Sequence, residues 1–226
     1  MLALAFTISI FLLRKEAARQ HFNVDKILDL VFWGLLMGII GARVFYILFN
    51  LTYFQENPRE VIMLHHGGLI WYGGLFFALC FALVYLKINK LPTLKTLDLC
   101  SSYIALGQAI GRIGCFLNGC CYGKPVSWGI YFPSHNARLH PTQLYSFVDL
   151  LVIFLILRWR QRSSKVDGAV ICLYFLLASA ERFIVEFFRG DSSPVFLGLT
   201  VFQIISLVIF VMAIYANLYL YSRQRR

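Results

Sequence analysis

Leu28-Asp29-Leu30-Val31-Phe32-Trp33-Gly34-Leu35-Leu36-Met37-Gly38-Ile39-Ile40-Gly41-Ala42-Arg43-Val44-Phe45-Tyr46-Ile47-Leu48-Phe49 is an almost unbroken apolar run. At 1.5 Å per residue it makes a helix of about 33 Å, enough to cross a hydrocarbon layer of about 30 Å. Apolar runs recur at about 1–13, 28–49, 69–86, 97–118, 143–157, 168–188 and 197–221, seven within 226 residues. Seven spans of about 20 residues use only about 140. The whole chain is 59% hydrophobic and only 14% charged, against about 25% charged in soluble domains. So little charge cannot cover so much apolar surface, which excludes soluble globular and disordered classes. The expected fold is an all-α integral membrane protein with about seven transmembrane helices. Short polar connections, with no internal repeat and no low-complexity linker, predict a single polytopic domain over 1–226.

The net charge is +10, from 21 Lys and Arg against 11 Asp and Glu. Such a balance suits nucleic acid until the positions are read. Arg14, Lys15, Arg19 and Lys26 follow the first run; Lys87, Lys90 and Lys95 the third; Arg158, Arg160, Arg162 and Lys165 the fifth; Arg223, Arg225 and Arg226 the seventh. The alternate connections carry only Arg59, Lys124, Arg138 and Arg189. Cytoplasmic connections hold the excess of Lys and Arg. The basic balance is thus an orientation signal, with the amino terminus outside, the carboxyl terminus cytoplasmic and no nucleic-acid partner. Met1–Leu13 would span only about 20 Å as a helix, and its positive charges follow the apolar run, unlike those of a signal peptide. It reads as a first helix truncated at its outer end.

Ionisable groups at membrane depth are costly and mark functional sites by default. Arg43 and Arg112 lie late in the outward-running second and fourth runs, and Glu181, Arg182, Glu186 and Arg189 late in the sixth. His65, His66, Trp71 and Tyr72 open the inward-running third run, and His140, Gln143 and Tyr145 open the fifth. All converge on the outer half of the bilayer, which predicts a polar cavity open to the outer leaflet. Arg182, Glu186 and Arg189 follow each other at intervals of four and three, so they share one helix face. That pattern equally suits a neutralising pair that pins helix packing, with Arg189 and Asp191 as an interfacial anchor.

Gly111-Arg112-Ile113-Gly114-Cys115-Phe116-Leu117-Asn118-Gly119-Cys120-Cys121-Tyr122-Gly123 carries four glycines in 13 residues, which let backbones approach and let a helix break beside a cavity. Arg112 suits a phosphate, because its planar fork binds bidentately and stays charged. The alternative is an arginine snorkelling over a packing seam made by Gly107 and Gly111. Cys80, Cys100 and Cys172 stand singly as small apolar packers. Cys115, Cys120 and Cys121 cluster on the oxidising side; their spacing fits no zinc signature, so packing or a disulfide is expected ahead of metal or catalytic use. The glycines of His65-His66-Gly67-Gly68-Leu69-Ile70-Trp71-Tyr72-Gly73-Gly74 mark a re-entrant or broken helix start with two interfacial histidines. Pro141 suits the first turn of the helix after His140.

Together these motifs resemble the bacterial prolipoprotein diacylglyceryl transferases, over about residues 12–203. Gly41-Ala42-Arg43 with Tyr46 resembles the family's second-helix motif, and Tyr72-Gly73-Gly74-Leu75 its (His/Tyr)-Gly-Gly segment. The stretch from Gly111 to Gly123 resembles its signature. His140-Pro141-Thr142-Gln143-Leu144-Tyr145 matches its fifth-helix start, and Arg182-Phe183 through Glu186-Phe187-Phe188-Arg189 its penultimate motif.

The resemblance implies transfer of a diacylglyceryl group from phosphatidylglycerol to the lipobox cysteine of a prolipoprotein signal peptide, with release of glycerol phosphate. It also implies a place in the bacterial cytoplasmic (inner) membrane, an active site facing the outer leaflet, and no cofactor or metal. Arg112 would then hold the lipid phosphate, among substrate contacts Arg43, Asn118, Gly123, Gln143, Tyr145 and Arg182. Arg189 would stabilise the departing phosphate, with Glu186 beside it, and Tyr72 or His140 would serve as base toward the thiol. Cys115 stands where the commonest signature has Asn, Cys120 where it has Glu, Ser146 where Glu follows the Leu-Tyr pair, and Phe202 where Gly precedes Gln203. Two other classes fit parts of the pattern: a membrane thiol/quinone oxidoreductase using Cys115, Cys120 and Cys121, and a small-solute transporter.

Overall fold

The computed structural model describes residues 1–63, 68, 70–164, 166–192 and 194–224, with residues 71, 72 and 224 described by backbone alone. Among the described residues there are eight α-helices: α1 (Leu2–Arg19), α2 (Val24–Phe49), α3 (Leu51–Glu56), α4 (Trp71–Ile88), α5 (Thr93–Asn118), α6 (Thr142–Ser163), α7 (Ala169–Glu186) and α8 (Val201–Gln224). A 3-10 turn at Pro58–Val61 follows α3. Each long apolar run is a helix. The fourth begins at Thr93 rather than near 97, and the fifth continues past Leu157 through Arg158, Arg160 and Arg162. Arg14, Lys15, Arg19, Lys87, Lys95 and Arg223 likewise belong to helices rather than to connections. Long basic side chains reach water from a helix end, so the helix need not stop where the apolar run does.

The chain is not wholly helical. Two antiparallel hairpins are present among the described residues: β1 (Pro125–Phe132) with β2 (Ala137–Leu139), in a connection read from the sequence only as short and polar, and β3 (Pro194–Phe196) with β4 (Leu199–Thr200), which takes up the start of the seventh apolar run, so that the last helix begins at Val201. Helices over 24–49, 142–163 and 201–223 are long and apolar enough to cross a membrane by length and composition. Their outer faces agree: Val148, Val152, Leu155 and Trp159 line one exposed side of α6, and Leu207, Val211, Leu218 and Tyr215 are exposed on α8. So much bare apolar surface has no place in water and suits a lipid environment.

The chain forms two compact units, 16–93 and 1–15 with 94–226. In the first, α2 and α4 run antiparallel in close contact. A Cβ on Gly41 would lie 2.5 Å from the Gly73 carbonyl oxygen, and one on Gly73 2.5 Å from that of Gly41. Glycine is required there because the two backbones touch. In the second unit Ala105 and Ala109 of α5, Leu150, Ile153 and Leu157 of α6, and Val170, Ile171 and Tyr174 of α7 make the core. Asp98 of α5 fastens the start of α7: its two carboxylate oxygens accept the Gly168 and Ile171 N–H groups at 2.7 and 2.8 Å. Those donors have no partner within their own helix.

Candidate functional site

The site in the larger unit is built on the end of α5. Gly119, with φ +70°, ends the helix: its N–H reaches the Phe116 carbonyl and that of Cys120 the Cys115 carbonyl, both at 3.2 Å. This pair of bonds closes a Schellman motif. Cys121, with φ +60°, keeps the chain turning. The resulting 119–124 loop is tied from two sides. From the start of α6, the Thr142 hydroxyl and the Gln143 amide donate to the carbonyls of Cys121 and Cys120, each at 2.7 Å. Gly123 N–H donates to His140 O and His140 N–H to Lys124 O, both at 3.0 Å. From the end of α7, Lys124 N–H reaches Phe188 O at 2.8 Å, Gly190 N–H reaches Tyr122 O at 3.2 Å, and Arg189 pairs with Gly123 as an antiparallel bridge. A Cβ on Gly123 would stand 2.4 Å from the His140 Cβ and 2.8 Å from the Phe188 oxygen. Three motifs far apart in sequence thus meet at one loop.

The charges follow from this lacing. Glu186 is 3% exposed; its Oε2 lies 2.9 Å from Arg182 Nη2 and 3.7 Å from Arg189 Nε. The Thr200 hydroxyl donates to Glu186 Oε1 at 3.0 Å. Thr200 also caps α8 reciprocally with Gln203, the Thr200 N–H reaching Gln203 Oε1 at 2.9 Å and the Gln203 N–H reaching Thr200 Oγ1 at 3.3 Å. Arg189 turns its fork on Asp191, with Nε and Nη2 at 2.7 and 2.5 Å from the two carboxylate oxygens. Burial works to raise the Asp191 carboxyl, but the bonds and charge of Arg189 hold it below its ordinary range.

Arg112 differs from both. It is half-buried, within electrostatic reach of Glu181, Arg182 and Cys121, and among the described residues it forms no hydrogen bond or ion pair. Among the described residues nothing occupies its fork. Glu181, read from the sequence only as one of the ionisable groups at membrane depth, accepts a bond from the Ser146 hydroxyl at 2.6 Å. Ser146 stands where the commonest motif has a glutamate, and a hydroxyl there answers a carboxylate on the facing helix.

His140 Nδ1 pairs with the Tyr145 hydroxyl at 3.1 Å, and its ring packs against Trp128 and Phe188 at 4.9 and 5.5 Å between centroids. Gln143, 1% exposed, and Gly123 shape the loop from within, whereas Asn118 ends α5 in an exposed position. His135 was not singled out by its sequence; its ring lies on Tyr122 at 3.8 Å and its Nε2 meets the Gly119 carbonyl at 3.0 Å.

Cys115, Cys120 and Cys121 are all free thiols, partly exposed, with their sulfurs within 4.8 Å of one another. The Cys121 thiol is pulled down to about 5. The Cys115 hydrogen bond is the largest cause; burial opposes it, and the charges of Arg189 and Arg112 add to it.

Two expected site residues belong to the other unit. Arg43 is 6% exposed; its Nε and Nη1 donate to the carbonyls of Val61 and Gly68, each at 3.1 Å, and Nη2 donates to those of Glu60 and Met63. It anchors the chain that leads into α4. Tyr72 lies in the first turn of α4, with its side chain outside the described residues, as are His65 and His66 altogether.

The family model for prolipoprotein diacylglyceryl transferase matches residues 1–219. A phosphatidylglycerol--prolipoprotein diacylglyceryl transferase of Clostridium tetani is 35% identical over 223 residues, covering 95% of this chain and 89% of its own. The protein of the same name from Thermotoga maritima is 36% identical over 205 residues, covering 85% and 70%. The Clostridioides difficile protein of that name is 34% identical over 214 residues, covering 93% and 85%. None of these names supports the oxidoreductase or the transporter reading. With a family model spanning nearly its whole length, the chain belongs to the prolipoprotein diacylglyceryl transferase family.

Proposed function

We propose that this protein transfers the diacylglyceryl group of phosphatidylglycerol to the lipobox cysteine of a prolipoprotein signal peptide, from the outer half of the bacterial cytoplasmic membrane. The observation that carries the reading is Arg112: a partly buried guanidinium with no protein partner among the described residues, beside the Arg182–Glu186–Arg189 cluster. Such a group is suited to bidentate contact with a phosphodiester. In the reaction the lipobox sulfur attacks the glyceryl carbon that carries the phosphate. The S–C bond forms, the C–O bond breaks, and the electron pair leaves with glycerol phosphate, which gains a second negative charge.

Fixed cations stabilise that charge best where water is scarce. Arg189 is the group placed to do this. Its present partner Asp191 is an exposed carboxylate, so an incoming phosphate exchanges one anion for another at the same fork. Arg182 and Glu186 hold the cluster in place, and the loop fastened by Gln143 and Gly123, with Asn118 and Tyr145, supplies the remaining substrate contacts. Arg43 braces the entry to α4, where Tyr72 stands, and His140, tied to Tyr145, is the group available to take a proton. The proposal includes seven spans as one polytopic domain, with the amino terminus outside, the carboxyl terminus inside and this site toward the outer leaflet.

The test is mass spectrometry of a lipobox peptide incubated with the purified protein and phosphatidylglycerol. The expected product is the peptide carrying one diacylglyceryl thioether; a folded sample that yields none overturns the reading.

A further inference from the structure

Three nucleophilic sulfurs at the centre of the site are unused by the chemistry above. Cys115 lies in the last turn of α5, and Cys120 and Cys121 follow the glycine that ends it. Their linear spacing resembles no zinc motif. The reversed turn brings all three sulfurs within 4.8 Å of one another, each partly exposed and none in a disulfide. Zn–S bonds of about 2.3 Å place the sulfurs of a tetrahedral site about 3.8 Å apart. Ordinary rotation of the thiols covers the difference.

Among the described residues no His, Asp, Glu or fourth Cys donor joins the group. Structural zinc sites are closed by four protein ligands, whereas sites with three keep the fourth position for a reactant. The surroundings also suit such an ion. Three thiolates on Zn²⁺ carry a net charge of −1, and Arg112, one turn before Cys115 on α5, and Arg189, bridged to Gly123, supply positive charge. The loop carbonyls of Cys120 and Cys121 are held by Gln143 and Thr142, so the ligands are supported from behind.

We infer that Cys115, Cys120 and Cys121 form a zinc site whose open position binds the acceptor cysteine of the protein substrate and presents it as a thiolate. The inference rests on the diacylglyceryl-transfer reading and says how that site activates the thiol. On binding, the acceptor thiol gives its proton to water, because a coordinated thiol is deprotonated outright. Its sulfur pair then forms the S–C bond as the C–O bond to phosphate breaks. The thioether, a weaker ligand than the thiolate, leaves, and nothing is oxidised or reduced. The assignment removes the need for a strong protein base.

The full-length protein, purified in detergent, is expected to carry one zinc ion per chain by elemental analysis. Replaced by cobalt(II), the site should show sulfur-to-cobalt charge-transfer absorption that shifts on adding a lipobox peptide but not its Cys→Ser analogue. Cys115→Ser, Cys120→Ser and Cys121→Ser should each weaken metal affinity at least about tenfold, the loss that even an outer partner of a metal ligand brings, with helical content retained. If these variants fail to fold, chelation of the unaltered protein takes their place: transfer should stop and return with zinc. Full transfer by metal-free protein, or a disulfide among the three cysteines in active protein, overturns the site and leaves the proposed activity standing. A cobalt spectrum that answers the thiol peptide while no diacylglyceryl product forms overturns the proposed activity and supports the metal site.

Discussion

Arg112 and Glu186 show two opposite uses of charge at one site. Arg112 has no hydrogen-bond or ion-pair partner among the described residues, so its removal should leave the fold intact and, on the proposed function, deprive the lipid of its phosphate contact. Arg112→Lys keeps the charge and loses the planar fork. It is expected to lose most activity, with the main effect on KM for phosphatidylglycerol and no shift in Tm. Turnover equal to the unaltered protein would make Arg112 structural.

Glu186 is almost fully enclosed between two arginines and the Thr200 hydroxyl. Breaking a buried ion pair by removing one partner costs about 3–5 kcal/mol, because the remaining charge is stranded. Glu186→Gln should lower thermal stability in detergent by an amount of that order. The Asp191 exchange gives a further test. Asp191→Asn weakens the hold on Arg189, and the variant should bind a phosphatidylglycerol headgroup analogue more tightly in calorimetry while folding normally.

At the scale of elements, the helices are fastened by a few polar and glycine contacts rather than by apolar packing alone. Asp98 is the acceptor for the free N–H groups at the start of α7. Leaving a buried donor unmet costs about 1–3 kcal/mol. Asp98→Ala, which strands two, should be clearly destabilising, with hydrogen exchange raised first at Gly168 and Ile171. Between α2 and α4, Gly41→Val would drive a side chain into the Gly73 carbonyl, 2.5 Å from the new Cβ. Backbone cannot yield as a side-chain tip does, so the helices must separate; overpacking of this kind costs about 1–3 kcal/mol or more. A matching loss in Tm is expected, whereas Gly34→Ala, with open space around its Cβ, should be neutral. The helices themselves were legible because an apolar run is a local signal. The hairpins were not: β1 and β3 present mostly exposed residues with no alternation to mark a strand.

For the whole molecule, the charge pattern and the site make one orientation prediction. A reporter that is active only outside the cytoplasm should be silent when fused after Arg223, and a membrane-impermeant thiol reagent added to intact cells should label a Ser134→Cys variant, altered at the exposed turn between β1 and β2, above the level of the unaltered protein. The opposite labelling pattern would invert the proposed topology.

Composition and periodicity by themselves determined that this is a helical membrane protein. Ordered motifs pointed to its family, and intramembrane charge pointed to Arg112, Arg182, Glu186 and Arg189 as site residues. Each of these is read from residues close together in the chain. Only the tertiary structure decided that the loops at 119–124, 140–143 and 186–190 are stitched to one another, that Arg43 braces backbone carbonyls, that Glu181 faces Ser146, and that three cysteines of unrevealing spacing share one point in space. Those relations depend on where helices end and how far a chain turns after them. A left-handed residue at Gly119 or a carbonyl captured by Gln143 sets that geometry, and neither leaves a periodic trace in the sequence.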